Sequence, residues 1–152
     1  MYSAALLIHS WLRWIVLIAG VIALFRGLAG WSGRRTWTRV DDRAGFWFTM
    51  FLNLQMLLGL LLYFFLSPFT TAALGDFGAA MKNPGLRFWA VEHLFGMVIA
   101  IALAHIGQAR IRRAAPNRKH RTAAIFFGLA LLVLLASIPW PGTANGRELF
   151  RF

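Results

Sequence analysis

The sequence predicts an all-α fold, a bundle of four transmembrane helices with both termini outside and both basic loops in the cytoplasm. Three observations carry this. The 152-residue chain is 59% hydrophobic and 14% charged, whereas a soluble domain is roughly half apolar and a quarter charged. The apolar residues fall in four blocks, Ala4–Phe25, Gly45–Leu66, Leu86–Gln108 and Thr122–Pro139, each near the ~20 residues that cross a hydrocarbon core. The cations gather in two of the connections. A backbone in lipid must satisfy its own hydrogen bonds, so the blocks are expected to be helices. The ~10-residue alternating segments of a β-barrel are absent.

Charge sets the orientation. Residues 26–44 carry Arg26, Arg34, Arg35, Arg39 and Arg43, and residues 107–121 carry Arg110, Arg112, Arg113, Arg118, Lys119 and Arg121. The other face has only Lys82, Arg87, Arg147 and Arg151. The positive-inside rule places the two rich loops in the cytoplasm. A net charge of +11 therefore reads as a topology and lipid-headgroup signal, and nucleic acid is not expected as a partner. The first block has no basic lead-in and contains His9 and Arg13, so it reads as a permanent helix rather than a cleaved signal. The whole chain, 1–152, reads as one membrane domain. There is no cysteine, which rules out thiolate-ligated clusters and covalent haem attachment through cysteine.

The elements follow in order. Trp11 and Trp14 suit the outer interface and Trp31 and Trp37 the inner one. The second block holds Asn53, Gln55 and Gly59, ends in Tyr63-Phe64-Phe65, and is closed by Pro68. Residues 67–85 form the longest outer connection. Its Thr70–Lys82 stretch suggests a short interfacial helix, weakened by Gly75 and Gly78. Asn83-Pro84-Gly85 launches the third helix. The fourth ends at Pro139-Trp140-Pro141-Gly142, followed by an outer tail over 140–152, a candidate docking element.

Ionisable side chains inside a membrane helix point to function by default. Four are present: His9, Arg13, Glu92 and His93. At ~1.5 Å per residue, His9 lies ~7–8 Å and His93 ~10–11 Å from the outer ends of their predicted helices. Those helices run in the same direction, so both imidazoles share a level. One imidazole from each of two facing helices is what a b-type haem requires, and bundle cores commonly hold such sites. Gly96, three residues past His93, would let a flat macrocycle approach. Arg13 leans outward, toward a propionate or toward Glu92, and Arg87 is a second candidate for a propionate. Two other uses stay open. The same residues suit a quinone or proton-relay site, or a buried Arg13–Glu92 ion pair that fixes packing. Gln55 and Asn53 suit a quinone carbonyl or an interhelical bond, the latter being the ordinary use. His105 is placed at the inner interface, and His120, within Arg118-Lys119-His120-Arg121, in a solvated loop.

The stretches His9-Ser10-Trp11-Leu12-Arg13-Trp14, Gln55-Met56-Leu57-Leu58-Gly59-Leu60 with Tyr63, Leu86-Arg87-Phe88-Trp89-Ala90-Val91-Glu92-His93, and Ile138-Pro139-Trp140-Pro141 resemble those of small bacterial membrane proteins described as cytochrome b-like. The resemblance covers nearly the whole chain. It implies a four-helix protein of the bacterial inner membrane with haem b and an electron-transfer role, carried onto His9, Glu92 and His93, with Arg13 beside them.

The expectation is therefore a single-haem, bis-histidine membrane subunit passing electrons between quinol and a periplasmic partner. His9 and His93 would be the iron ligands. Arg13, Arg87, Glu92 and Gly96 would serve around them. The alternative is a non-haem accessory subunit of a respiratory or photosynthetic complex that binds quinone or lipid. A transporter is disfavoured, because no inverted repeat or matched helix breaks are visible. No hydrolytic motif is present.

Overall fold

The computed structural model describes residues 1–150. Six helices follow one another: α1 (Tyr2–Ser32), α2 (Arg39–Leu66), α3 (Pro68–Gly75), α4 (Phe77–Lys82), α5 (Pro84–Arg113) and α6 (Pro116–Ser137). Helices α1, α2, α5 and α6 are long and apolar enough to cross a membrane. The fold is an all-α four-helix bundle, and the chain is a multi-pass membrane protein.

The helices overrun the apolar blocks on the basic face. α1 continues to Ser32 and α5 to Arg113, because hydropathy marks the hydrocarbon edge rather than the helix end. In the extra turn of α5, Arg110 lies over the Phe126 ring, 5.5 Å from its centroid, as a long cationic side chain does when its stem covers apolar surface. α2 starts at Arg39, six residues before the apolar block, because Thr38 and Asp41 form a capping box. Asp41 accepts from the Thr38 backbone N–H at 2.8 Å and from its hydroxyl at 2.7 Å, satisfying donors that the first turn leaves open. On the outer face, the single expected helix over 70–82 is two. Asp76 leaves helical geometry after Gly75 and its carboxylate caps Ala79 N–H at 2.9 Å.

α6 packs against both α1 and α5, α1 also packs against α2, and the α2–α5 seam is the sparsest. The α1–α6 contact is close because α1 presents Gly20, Ala23, Gly27 and Gly30 along one face. A Cβ on Gly27 would sit 2.8 Å from the Ala124 backbone nitrogen. Small residues drive helix association in lipid by this backbone approach. The core between the helices is filled by Val16, Leu17, Phe48, Leu52, Phe127 and Leu131. Phe48 and Phe127 meet edge to face with centroids 5.6 Å apart, a favoured aromatic geometry. Ile18, Phe25, Leu57 and Leu132 stay exposed, as a lipid-facing belt requires. Arg26 pairs with buried Asp41 at 2.7 Å and pins α1 to the start of α2.

Candidate functional site

Two departures from α-helical geometry shape the outer half of the bundle. The last turn of α2 (Leu62–Leu66) and the Phe88–Glu92 turn of α5 are π-helical. Ser67 N–H reaches back five residues to Leu62 O at 2.8 Å, and His93 N–H reaches Phe88 O. Such turns insert one residue, re-aim the side chains beyond them and recur at functional sites. They also loosen carbonyls that lipid cannot satisfy. Here side-chain hydroxyls do so. Tyr63 Oη–H donates to Ala90 O at 2.8 Å, and Thr70 Oγ1–H donates to Tyr63 O at 2.7 Å. The bonds tie each π turn to its neighbour.

His93 follows the α5 π turn directly. Its Nδ1 lies 2.8 Å from the carbonyl oxygen of Ser137. A carbonyl only accepts, so Nδ1 carries the hydrogen and Nε2 keeps the lone pair. The acceptor is free because of how α6 ends. Ile138 turns extended before Pro139, as residues preceding proline do, and Pro141 has no N–H to return to Ser137. The last carbonyls of a helix always need outside partners. Gly96 brings the two helices together at this point: a Cβ there would collide with Ser137 Oγ and lie 2.7 Å from Ser137 Cβ. Gly96 thus seats Ser137 against α5. The expectation that it opens space for a macrocycle is corrected.

His9 sits about seven residues into α1 and His93 about nine into α5, so at ~1.5 Å per residue their heights differ by less than a turn. Both line one cavity of about 140 Å³ enclosed by α1, α2, α5 and the end of α6, together with Arg13, Gln55, Tyr63 and Arg147. Gln55 crosses from α2 to α1, its Nε2 donating to His9 O at 3.0 Å and lying 3.3 Å from His9 Nε2. Gln55 therefore makes the interhelical bond expected of it, and it makes that bond to a candidate ligand. With the amide nitrogen on that side, His9 Nε2 accepts and Nδ1 holds the hydrogen. His9 Nδ1 and Gln55 Oε1 are buried with no hydrogen-bond partner among the described residues, each a cost of ~1–3 kcal/mol unless something else meets it.

The cavity lining carries two cations, Arg13 and Arg147. Arg13 donates to Leu149 O at 2.7 Å, and Trp14 Nε1–H donates to the same oxygen at 3.1 Å. Phe150 stacks on Trp14 at 5.4 Å. The tail to residue 150 is folded back on α1 rather than extended for docking. Arg147 lies 4.9 Å from the ring centroids of both Phe69 and Trp89.

The remaining expectations divide. Glu92 does not meet Arg13. It pairs with Arg87 at 2.7 Å, and both side chains are nearly half exposed, so the expected Arg13–Glu92 pair is replaced by a local one outside the cavity. Five residues separate the partners across the π turn, which brings them to one side. Arg87 is thereby engaged outside the cavity, and Arg147 lines it instead. Arg147 was legible only as an outer-face cation. His105 donates from Nε2 to Asn53 Oδ1 at 2.8 Å on the exposed α2–α5 seam. His120 is not solvated. It is 5% exposed, under Trp37 with ring centroids 4.8 Å apart, and its ring occupies the space a Cβ on Gly30 would need. The first turn of α6 tucks it inward.

Compared with known proteins, the chain matches no family model, no curated protein and no solved structure.

Proposed function

We propose that this protein is a membrane electron-transfer subunit of the b-cytochrome kind, in which His93 on α5 and His9 on α1 would hold the iron of one haem. The observation that carries the reading is His93. Its tautomer is fixed by the Ser137 carbonyl so that Nε2 keeps a lone pair, the orientation device that accompanies metal-ligating imidazoles. It shares its cavity with a second histidine at nearly the same depth. The donor set fits the group in two further respects. The buried, unpartnered Nδ1 of His9 marks a site whose polar chemistry is incomplete within the protein. Arg13 and Arg147 on the cavity wall supply two guanidinium groups for two propionates. When bound, haem would supply a one-electron couple tuned by its axial ligands. The protein's own part is to orient His93, hold two cations on the cavity lining and exclude water with the Met56, Leu94 and Met97 walls. In this reading it sits in the bacterial inner membrane, within a larger redox complex, between quinol and a periplasmic partner.

A second reading is favoured by Gln55. As the ring stands, His9 Nε2 is taken by the Gln55 amide and Nδ1 is a hydrogen donor. A donor at His9 with an acceptor at Gln55 Oε1 or His93 Nε2 suits a quinone headgroup, whose oxygens accept or donate with redox state. In this version the chain is a haem-free accessory subunit.

One experiment separates them. The protein is expressed with haem precursor in excess, purified, and its reduced-minus-oxidised spectrum recorded. Sharp α and β bands, lost in His93→Ala and in His9→Ala, support the first reading. A colourless folded preparation whose tryptophan fluorescence is quenched saturably by a short-chain quinone, with Gln55→Leu abolishing the effect, supports the second and overturns the first. A colourless preparation indifferent to quinone overturns both.

A further inference from the structure

A second concave feature lies at the other end of the molecule. Where α5 ends and α6 begins, Arg110, Arg113, Arg118 and Arg121 line a cleft of about 390 Å³ with Ile125 and Phe126 on its apolar side. Among the described residues no carboxylate lines it. Among the described residues the ion pairs are Arg26–Asp41 and Arg87–Glu92, so none of the four arginines is neutralised. Of the acids on this face, Asp41 is held by Arg26, and Asp42 accepts from Trp37 Nε1–H at 2.8 Å. The other three acids, Asp76, Glu92 and Glu148, belong to the opposite end.

The arginines are also positioned. Arg110 lies 5.5 Å from the Phe126 ring centroid and Arg121 lies 5.7 Å from that of Trp31. Contact with an aromatic face holds a guanidinium while leaving its N–H fork free. Four like charges converging without a counter-charge repel one another, and an anion relieves that repulsion. A bidentate guanidinium fork matches phosphate oxygens.

The surface below the cleft selects the kind of anion. Ile125, Leu129 and Leu132 are all exposed, and their i, i+4, i+7 spacing places them on one face of α6. That face descends from the arginines into the membrane-spanning part of α6. A ligand filling both features carries a phosphate above and a hydrocarbon chain below. Basic pockets between transmembrane helices are known to take anionic headgroups in this way.

We infer that the cleft between the end of α5 and the start of α6 is a specific binding site for the phosphate headgroup of an anionic phospholipid, whose acyl chain lies along Ile125, Leu129 and Leu132. The site is independent of the histidine cavity. It differs from the general attraction of basic loops for a negative membrane, because it predicts a stoichiometric ligand at named residues.

The test uses the 152-residue chain in detergent, titrated with cardiolipin and observed by native mass spectrometry, with phosphatidylcholine as the neutral comparison. The expected result is one retained cardiolipin and no retained phosphatidylcholine. Replacing Arg113, Arg118 and Arg121 together by Gln is expected to weaken that retention at least tenfold. Replacing Arg34, Arg35 and Arg39 by Gln removes the same charge from the other basic loop and is expected to leave it unchanged. Equal weakening in the two triple variants would mean diffuse charge attraction and would overturn the site. If the Gln variant does not fold, the corresponding Lys variant is read instead. It keeps the charge but loses the forks, so retention should fall severalfold, and no fall would overturn the proposal. Inorganic phosphate at millimolar concentration distinguishes the source. A cardiolipin adduct that survives it belongs to a lipid site. Displacement by phosphate alone would assign the cleft to a free anion and overturn the lipid assignment.

Discussion

His93 Nδ1 lies 2.8 Å from the Ser137 carbonyl oxygen, and this contact joins the end of one membrane helix to a cavity-lining side chain of another. Gly96 is the residue that allows it, since any side chain there runs into Ser137. Gly96→Val should therefore push α6 from α5 and release the ring. Overpacking of this kind costs ~1–3 kcal/mol. The expected outcome is a lower thermal midpoint in detergent and, under the proposed haem reading, weakened or broadened haem absorption. Gly78→Val, at an outer glycine whose nearest neighbour is only an Asp76 carboxylate oxygen 3.7 Å away, should change neither. A Gly96→Val protein with unchanged stability and spectrum would disconnect the glycine from the site.

The hydroxyl of Tyr63 has a comparable task, because it satisfies Ala90 O within the α5 π turn. In Tyr63→Phe that carbonyl is left without its donor, at a cost of ~1–3 kcal/mol. The local signature is more telling than the global one. Backbone amides of 88–93 should exchange hydrogen faster in Tyr63→Phe, while those of the α1–α6 contact stay protected. Uniform acceleration across the bundle would instead indicate general destabilisation.

The basic end depends on Asp41. Its carboxylate, 3% exposed, meets Arg26 at 2.7 Å and caps the first turn of α2. Asp41→Ala removes a buried ion partner and a cap together. Removing one member of a buried pair costs ~3–5 kcal/mol, and a cap ~1 kcal/mol. Arg26 is more than a third exposed and can recover solvent or headgroup contacts, so a net loss of ~2 kcal/mol is expected, below the buried-pair range. Denaturant titration of Asp41→Ala against Asp42→Ala measures it. Among the described residues the Asp42 carboxylate is bonded to Trp37 alone, at an exposed position, and its replacement should cost much less.

The sequence was legible where the physics is one-dimensional. Apolar block length and loop charge yield four helices and their order, and helix rise puts His9 and His93 at one level. What hydropathy cannot register is geometry that adds or removes a residue from a turn. The two π turns carry no compositional mark, yet the second decides that Glu92 turns to Arg87 while His93 faces the cavity. Long-range partners are equally hidden. Nothing within Arg147's own neighbourhood announces that the tail returns to Phe69 and Trp89. The Ser137 carbonyl was closer to readable, since Pro139 and Pro141 after an apolar helix announce free carbonyls, though not which side chain will use them. His120 failed for a different reason. Composition describes the loop as basic and solvated, whereas the first turn of α6 rotates this one residue inward.

That burial leads to the least intuitive prediction. His120 packs against Gly30 and Trp37 with both ring nitrogens buried and no hydrogen-bond partner among the described residues. A donor and an acceptor left in this state oppose folding, whereas an apolar ring of similar shape keeps the packing without that cost. His120→Phe should therefore be neutral or stabilising by ~1 kcal/mol, against the usual expectation for replacing a buried polar residue. His120→Ala leaves a void between α1 and α6 and should cost ~2–4 kcal/mol, as large-to-small core changes do. Thermal midpoints of the two variants, measured in one detergent, make the comparison. Loss of stability in His120→Phe as large as in His120→Ala would mean that the imidazole nitrogens, and not its shape, hold this corner of the bundle together.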